Sequence, residues 1–150
     1  MIQLDMEKYD SLIEKTFLAL CDVLGMDHES VYYEIYFESK EEIKSLNRDF
    51  RGINKPTDVL SFPLLEITPG TIPTRELFPL DVNPETGLIE LGDIFICEAV
   101  ARKQTKTTLD DEIAFLFVHG MLHLLGYTHD TDSDEAVMNE LTNKILRSDK

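Results

Sequence analysis

The chain has 150 residues, 43% of them hydrophobic, and a net charge of −15. That is enough for one domain with a proper core, and it contains no run of roughly eighteen apolar residues from which to build a transmembrane helix. So large an acidic excess excludes broad, non-specific nucleic-acid binding, but not a local basic cleft, because long-range repulsion is screened beyond about 8 Å at physiological salt.

The first residues, MIQLDMEKYDSLIEK, are acidic and amphipathic. They lack a basic stretch and a small-residue cleavage site, so no export signal and a cytoplasmic location are expected. Tyr9, Leu12, Ile13, Phe17, Leu20 and Leu24 recur at helical spacing, which predicts a helix over 6–24 stopped by Gly25. The acids are densest between Asp27 and Glu42 and read as solvated surface. VYYEIYF (31–37) is β-branched and aromatic, with Val31, Tyr33, Ile35 and Phe37 on one face, and predicts a strand. SKEE then makes a capping box of Ser39 and Glu42. It opens a helix carrying Ile43, Leu46 and Phe50.

RGINKPTD (51–58) is a loop broken by Gly52 and Pro56. VLSFPLL is a short strand stopped near Pro63. Residues 66–87 hold four prolines and two glycines; so long an excursion is expected to be a mobile flap or an insertion. LIELGDIFIC (88–97) returns as a strand, followed by a short helix through Ala99 and Arg102. Thr108 caps a helix over 109–125, with Asp110, Asp111 and Glu112 in its first turn. Ile113, Leu116, Phe117, Met121 and Leu124 form its core face. Ser133 is expected to cap a last helix through Val137, Leu141 and Ile145. Cys21 and Cys97 lie in apolar contexts and read as buried free thiols in a reducing compartment.

The expected fold class is therefore α+β: residues 1–150 form a single layered domain. A small mixed sheet is packed by helices, and a metal site lies at the end of a central helix. A helix separates the first two strands, which favours a parallel pair between them.

HGMLHLLGYTHD (119–130) holds three of the four histidines. His119 and His123, four apart on a helix, present imidazoles on one face, with Cβ atoms about 5–6 Å apart. Gly126 stands where the chain can reverse and return His129 as a third ligand. Three protein ligands and an open position suit a catalytic zinc, one ion per chain. The blander alternative is a pair of ordinary half-buried histidines. His28 stands apart and is given no role. A metzincin protease has this histidine spacing but carries glutamate after the first histidine as its general base. Gly120 cannot do that work. A glycine there leaves room for an anionic phosphodiester that a carboxylate would repel.

NRDFRGINKPTDVLSF (47–62) concentrates Arg48, Arg51 and Lys55 in an otherwise acidic chain. Arg51, at a helix end before a glycine, could clamp a phosphate through its planar fork; Arg48 and Lys55 are weaker candidates for substrate binding. NRDFRGINKPTDVLSFP and HGMLHLLGYTH, with LGDIFIC between them, resemble the YbeY family of bacterial zinc-dependent endoribonucleases over about residues 40–130. The resemblance implies zinc held by His119, His123 and His129, and an arginine, Arg51, that acts beside it. It also implies single-strand RNA cleavage in small-subunit ribosomal RNA 3′-end maturation and ribosome quality control. Single-stranded RNA, the small-subunit rRNA or the ribosome would then be the partner. Thr128 stands where the family usually has aspartate, with Asp130 on the other side of His129. Two alternatives are a metallopeptidase-like hydrolase and a ribosome-associated factor with a structural zinc.

Overall fold

A computed structural model describes residues 2–148, with side chains from Lys8 onward. The amphipathic N-terminal segment forms α1 (Ile2–Leu24), longer at its start than its apolar periodicity indicates. Tyr9, Ile13, Phe17 and Leu20 are buried along one stripe, as spacings of three and four residues require. Gly25 follows it with φ +74°. VYYEIYF forms β1 (Val31–Phe37), buried at both ends of its predicted inner face. α2 (Lys40–Arg51) starts at Ser39, whose Oγ accepts from the Glu42 amide at 3.1 Å. It buries Ile43 and Asn47. Phe50 does not follow Ile43 inward; it is 67% exposed.

β2 (Val59–Pro63) and β3 (Ile89–Ile96) complete a mixed sheet of order β1-β3-β2. β3 runs parallel to β1 and antiparallel to β2. The expected parallel pairing of β1 with β2 is therefore not formed. β3 takes the central place and is the most deeply buried strand: Ile89, Leu91, Ile94 and Ile96 are all 0% exposed. A bulge opposite Tyr32 and Tyr33 makes this possible. The extra residue re-phases the alternation of β3, so residues on both sides of it turn inward.

The remaining helices are α3 (Glu98–Gln104), α4 (Leu109–Leu124) and α5 (Asp132–Ser148). α4 is central and touches β2, β3, α1, α3 and α5. One large cluster joins α1, α4, α5 and one side of the sheet. Phe95, which alternates with Ile94 and Ile96, instead joins a smaller cluster around Ile43, Leu60 and Cys97, on the side that α2 covers. The start of α5 is capped by Thr131, not Ser133: the Thr131 Oγ1 accepts from the Asp134 amide at 3.0 Å. The helix buries Met138, Thr142 and Ile145 and leaves Val137 46% exposed.

Residues 64–88 hold no regular element except one 3₁₀ turn, Pro79–Asp81. The segment is tied down at points. Ile67 and Pro73 are buried, and the Arg75 Nε donates to the Gly87 carbonyl at 2.7 Å. Cys21 and Cys97 are buried free thiols. No helix among the described residues is long and apolar enough to cross a membrane.

The bulge glycine generates a prediction. Gly92 has φ +143°, and a Cβ there would lie 2.3 Å from the Phe62 carbonyl oxygen and 2.9 Å from Leu124 Cδ2. Gly92→Ala should cost roughly 2–4 kcal/mol in urea unfolding. Gly25→Ala is the control: its Cβ meets nothing within 4 Å, so only the backbone penalty of about 1 kcal/mol is expected. Equal losses for the two variants would refute the close-approach argument.

Candidate metal centre and cleft

α4 begins at Thr108, whose Oγ1 accepts from the Asp111 amide at 3.1 Å. Asp110, Asp111 and Glu112 follow at its positive end. Nine of its residues are buried. His119 and His123 lie on the side left open, half-buried. Their Nε2 atoms are 3.2 Å apart.

The helix stops as its glycine requires. The Gly126 amide donates to the His123 carbonyl and the Tyr127 amide to the Leu122 carbonyl, both at 3.0 Å. Gly126 has φ +98°. This is the Schellman pattern, and it reverses the chain. A Cβ on Gly126 would lie 1.9 Å from the Ile67 carbonyl oxygen, so the loop after β2 packs directly on the turn. The reversal returns His129 to the pair, with ring centroids 4.8 Å from His119 and 4.7 Å from His123. One ligand atom from each of the three lies within 4.8 Å of the others.

The donor set fits a divalent transition metal. The Tyr127 carbonyl lies 2.9 Å from His123 Nδ1. A carbonyl only accepts, so Nδ1 carries the proton and Nε2 keeps its lone pair for a ligand bond. Burial pushes the His119 pKa down to about 4, helped by repulsion from His123 and His129 and opposed by Asp58. Burial also lowers His123; the Tyr127 carbonyl and Asp130 oppose this, while His129 and Arg51 add to it. Neutral imidazoles are the form that binds metal. The three histidines can therefore hold one metal ion.

The centre opens into a cleft of about 1080 Å³ whose wall includes Arg51. Gly52, with φ +71°, ends α2 immediately after it and donates to the Arg48 carbonyl. Arg48 and Lys55 are not on that wall. Arg48 pairs with Asp49 at 3.0 Å on the exposed surface. Lys55 is exposed, and its carbonyl accepts from Asn47 Nδ2 at 2.8 Å, closing the loop. Asp58, which sequence reasoning missed, does line the cleft. Its Oδ2 accepts from Gln104 Nε2 at 2.8 Å, a contact across 46 residues that no local pattern signals. Phe50 and Phe62 also line it. Thr128 lines it too, and its hydroxyl lies 3.4 Å from Asp134 Oδ2.

Gly120 has a different explanation from the one its neighbours in sequence invite. It is buried, and a Cβ there would stand 3.0 Å from Ile94 Cγ2 and 3.1 Å from Ser61 Oγ. The glycine lets α4 lie close on β2 and β3. Room for an anion beside the metal is not needed to account for it.

Comparison with known proteins bears on what this centre belongs to. The family profile described as Endoribonuclease YbeY matches residues 1–149. A protein of that name from Halalkalibacterium halodurans is 39% identical over 152 residues, spanning 91% of this chain and 89% of its own. Another, from a Thermoanaerobacter strain, is 35% identical over 149 residues, spanning 96% and 89%. The solution structure of a Thermotoga maritima protein superposes with a TM-score of 0.57 at 29% identity, covering 93% of this chain and 82% of that one.

Two outcomes are expected from this geometry. Gly126→Ala should weaken cobalt or zinc binding at least ten-fold in a chelator-competition titration, because the turn carrying His129 must shift away from Ile67. Wild-type affinity would mean that the turn does not position the third ligand. Gly120→Glu and Gly120→Gln should both lower the urea midpoint of the metal-free protein, since either side chain must enter the contact between α4 and the sheet. A loss confined to the charged variant would point to electrostatics instead of packing.

Proposed function

The chain belongs to the Endoribonuclease YbeY family, and on that premise we propose that it is a zinc-dependent endoribonuclease that cuts single-stranded RNA. We place its role in the maturation of the 3′ end of small-subunit ribosomal RNA and in ribosome quality control, in the cytoplasm. One observation carries the chemistry: three imidazoles converge within 4.8 Å in the same cleft as Arg51.

His119, His123 and His129 would hold the ion. Zinc, when bound there, supplies Lewis acidity toward a phosphoryl oxygen. The chain's own residues do the rest. The guanidinium of Arg51 can take two non-bridging oxygens at once and so fix the phosphate's orientation. It also offsets the charge that grows on those oxygens as the ester is attacked. Because Arg51 is the last residue of α2, its backbone is held by the helix and its side chain alone reaches out. The Tyr127 carbonyl keeps the proton on His123 Nδ1 and thereby keeps that ring in one orientation. A peptidase would need a carboxylate acting as base beside the ion; position 120 faces the sheet and could not supply one.

The test is cleavage of a single-stranded oligoribonucleotide with and without a chelator, at matched zinc occupancy. Arg51→Ala should keep its zinc and its fold and lose turnover about 100-fold or more. Arg51→Lys should recover little, since a point charge does not replace a planar fork. A 2′,3′-cyclic phosphate on the product would assign the attack to the ribose hydroxyl. Wild-type turnover in Arg51→Ala, or cleavage untouched by chelation at zero metal occupancy, would overturn the reading.

A further inference from the structure

Two phenylalanines of the cleft, Phe50 and Phe62, have no part in the metal centre or in the role given to Arg51. Phe50 is the residue before Arg51 and is 67% exposed, although its helix buries Ile43 completely. A single exposed aromatic is common on protein surfaces. This one differs in being braced. Phe62 of β2 packs edge-on against it, with centroids 5.1 Å apart and planes at 66°. Phe62 in turn meets Phe95 of β3 at 5.6 Å and 81°. Phe95 stacks on Tyr36 of β1 at 4.9 Å and 18°. Four rings thus cross the sheet from β1 to the cleft, and the last is open to solvent. Phe50 and Phe62 line the cleft together with Arg51, His119, His123 and His129.

We propose that Phe50, braced by Phe62, is a stacking subsite for an unpaired nucleobase of the RNA strand whose phosphate Arg51 holds. The proposal rests on the reading of the chain as an endoribonuclease. Phe50 and Arg51 line the same cleft, so one strand lying in it meets both the ring and the guanidinium. An aromatic face binds any base, so the subsite adds affinity without demanding a sequence. A base within a duplex has both faces covered and could not use it. The chain also needs such a contact for an electrostatic reason. With a net charge of −15 it has little long-range attraction for a polyanion, so short-range stacking must supply much of the grip.

The protein contains no tryptophan, which makes the test direct. Phe50→Trp places a single indole at the subsite. A 2′-O-methyl phosphorothioate single strand, resistant to attack by either the ribose hydroxyl or water, should quench its emission, and a duplex of the same sequence should not. Phe50→Ala should raise KM and the dissociation constant for single-stranded RNA about ten-fold with zinc content unchanged. Phe50→Tyr should behave as wild type. If wild type cleaves RNA while Phe50→Ala keeps its KM and Phe50→Trp is not quenched, the subsite falls and the endoribonuclease reading stands. If wild type neither binds nor cleaves RNA, both fall. Unchanged KM with loss of self-association in sedimentation would assign the ring to a protein contact and likewise overturn the proposal.

Discussion

Everything in the site depends on the burial of α4. Nine of its sixteen residues are buried, and fully burying each large apolar side chain is worth about 1.5–3 kcal/mol. That packing fixes both the rotation of the helix about its axis and its position on the sheet. Once those are fixed, positions 119 and 123 can face only the open side. The two helical ligands take the face that remains when the others are covered, and contacts such as the Tyr127 carbonyl on His123 Nδ1 then fix the rings. This also explains why two imidazoles can sit 3.2 Å apart before any ion is considered.

Close approach at glycines transmits that packing to the cleft. Gly92 brings β3 against the Phe62 carbonyl of β2 and against Leu124 of α4. Gly120 brings α4 against Ile94 of β3 and Ser61 of β2. Gly126 brings the end of α4 against the chain just beyond β2. β2 is thus clasped to α4 from the sheet side, from the helix side and at the helix end. Since β2 and the residues after it form one wall of the cleft, the distance from that wall to the histidines is set by three missing Cβ atoms. A methyl group at any one of them would act on the site through the core.

Local rules were legible in the sequence. The bounds of β1, the Ser39 and Thr108 caps, the inward face of α4 and the turn at Gly126 all depend on residues within one or two helical turns of each other. So does the convergence of His119 and His123, with His129 following from the glycine between. What depends on distant partners was not legible. The central place of β3 is decided by its burial on both sides, and the long 64–88 segment hides which strand it will join. Asp58 belongs to the cleft only because the fold lays the start of β2 beside the histidines of α4. Thr131 and Ser133 are equivalent cap candidates in local terms, and only the fold shows that the helix starts at the earlier one. Arg48 and Lys55 share Arg51's loop region but not its direction, which only the end of α2 decides. Gly120 misled for the same reason: read along the chain its neighbour is a metal ligand, whereas in space its neighbours are Ile94 and Ser61.

The charge of the molecule and the chemistry proposed for it then fit together. An acidic surface keeps a polyanion off every face except one where a specific contact outweighs the repulsion. On the proposed function Arg51 is one such contact, and the metal centre, once filled, is a second source of positive charge that also offsets Asp58 and Glu66 on the cleft wall. Positive charge concentrated at those two points, inside an otherwise acidic surface, favours a strand that enters over one that merely lies across the surface. Entry requires a flexible strand, because a rigid duplex cannot bend its phosphates into a concave wall without exposing its own bases. On the proposed function, exclusion by the surface and admission by the cleft therefore favour the same property in the substrate, a single strand, without any residue needing to read its sequence.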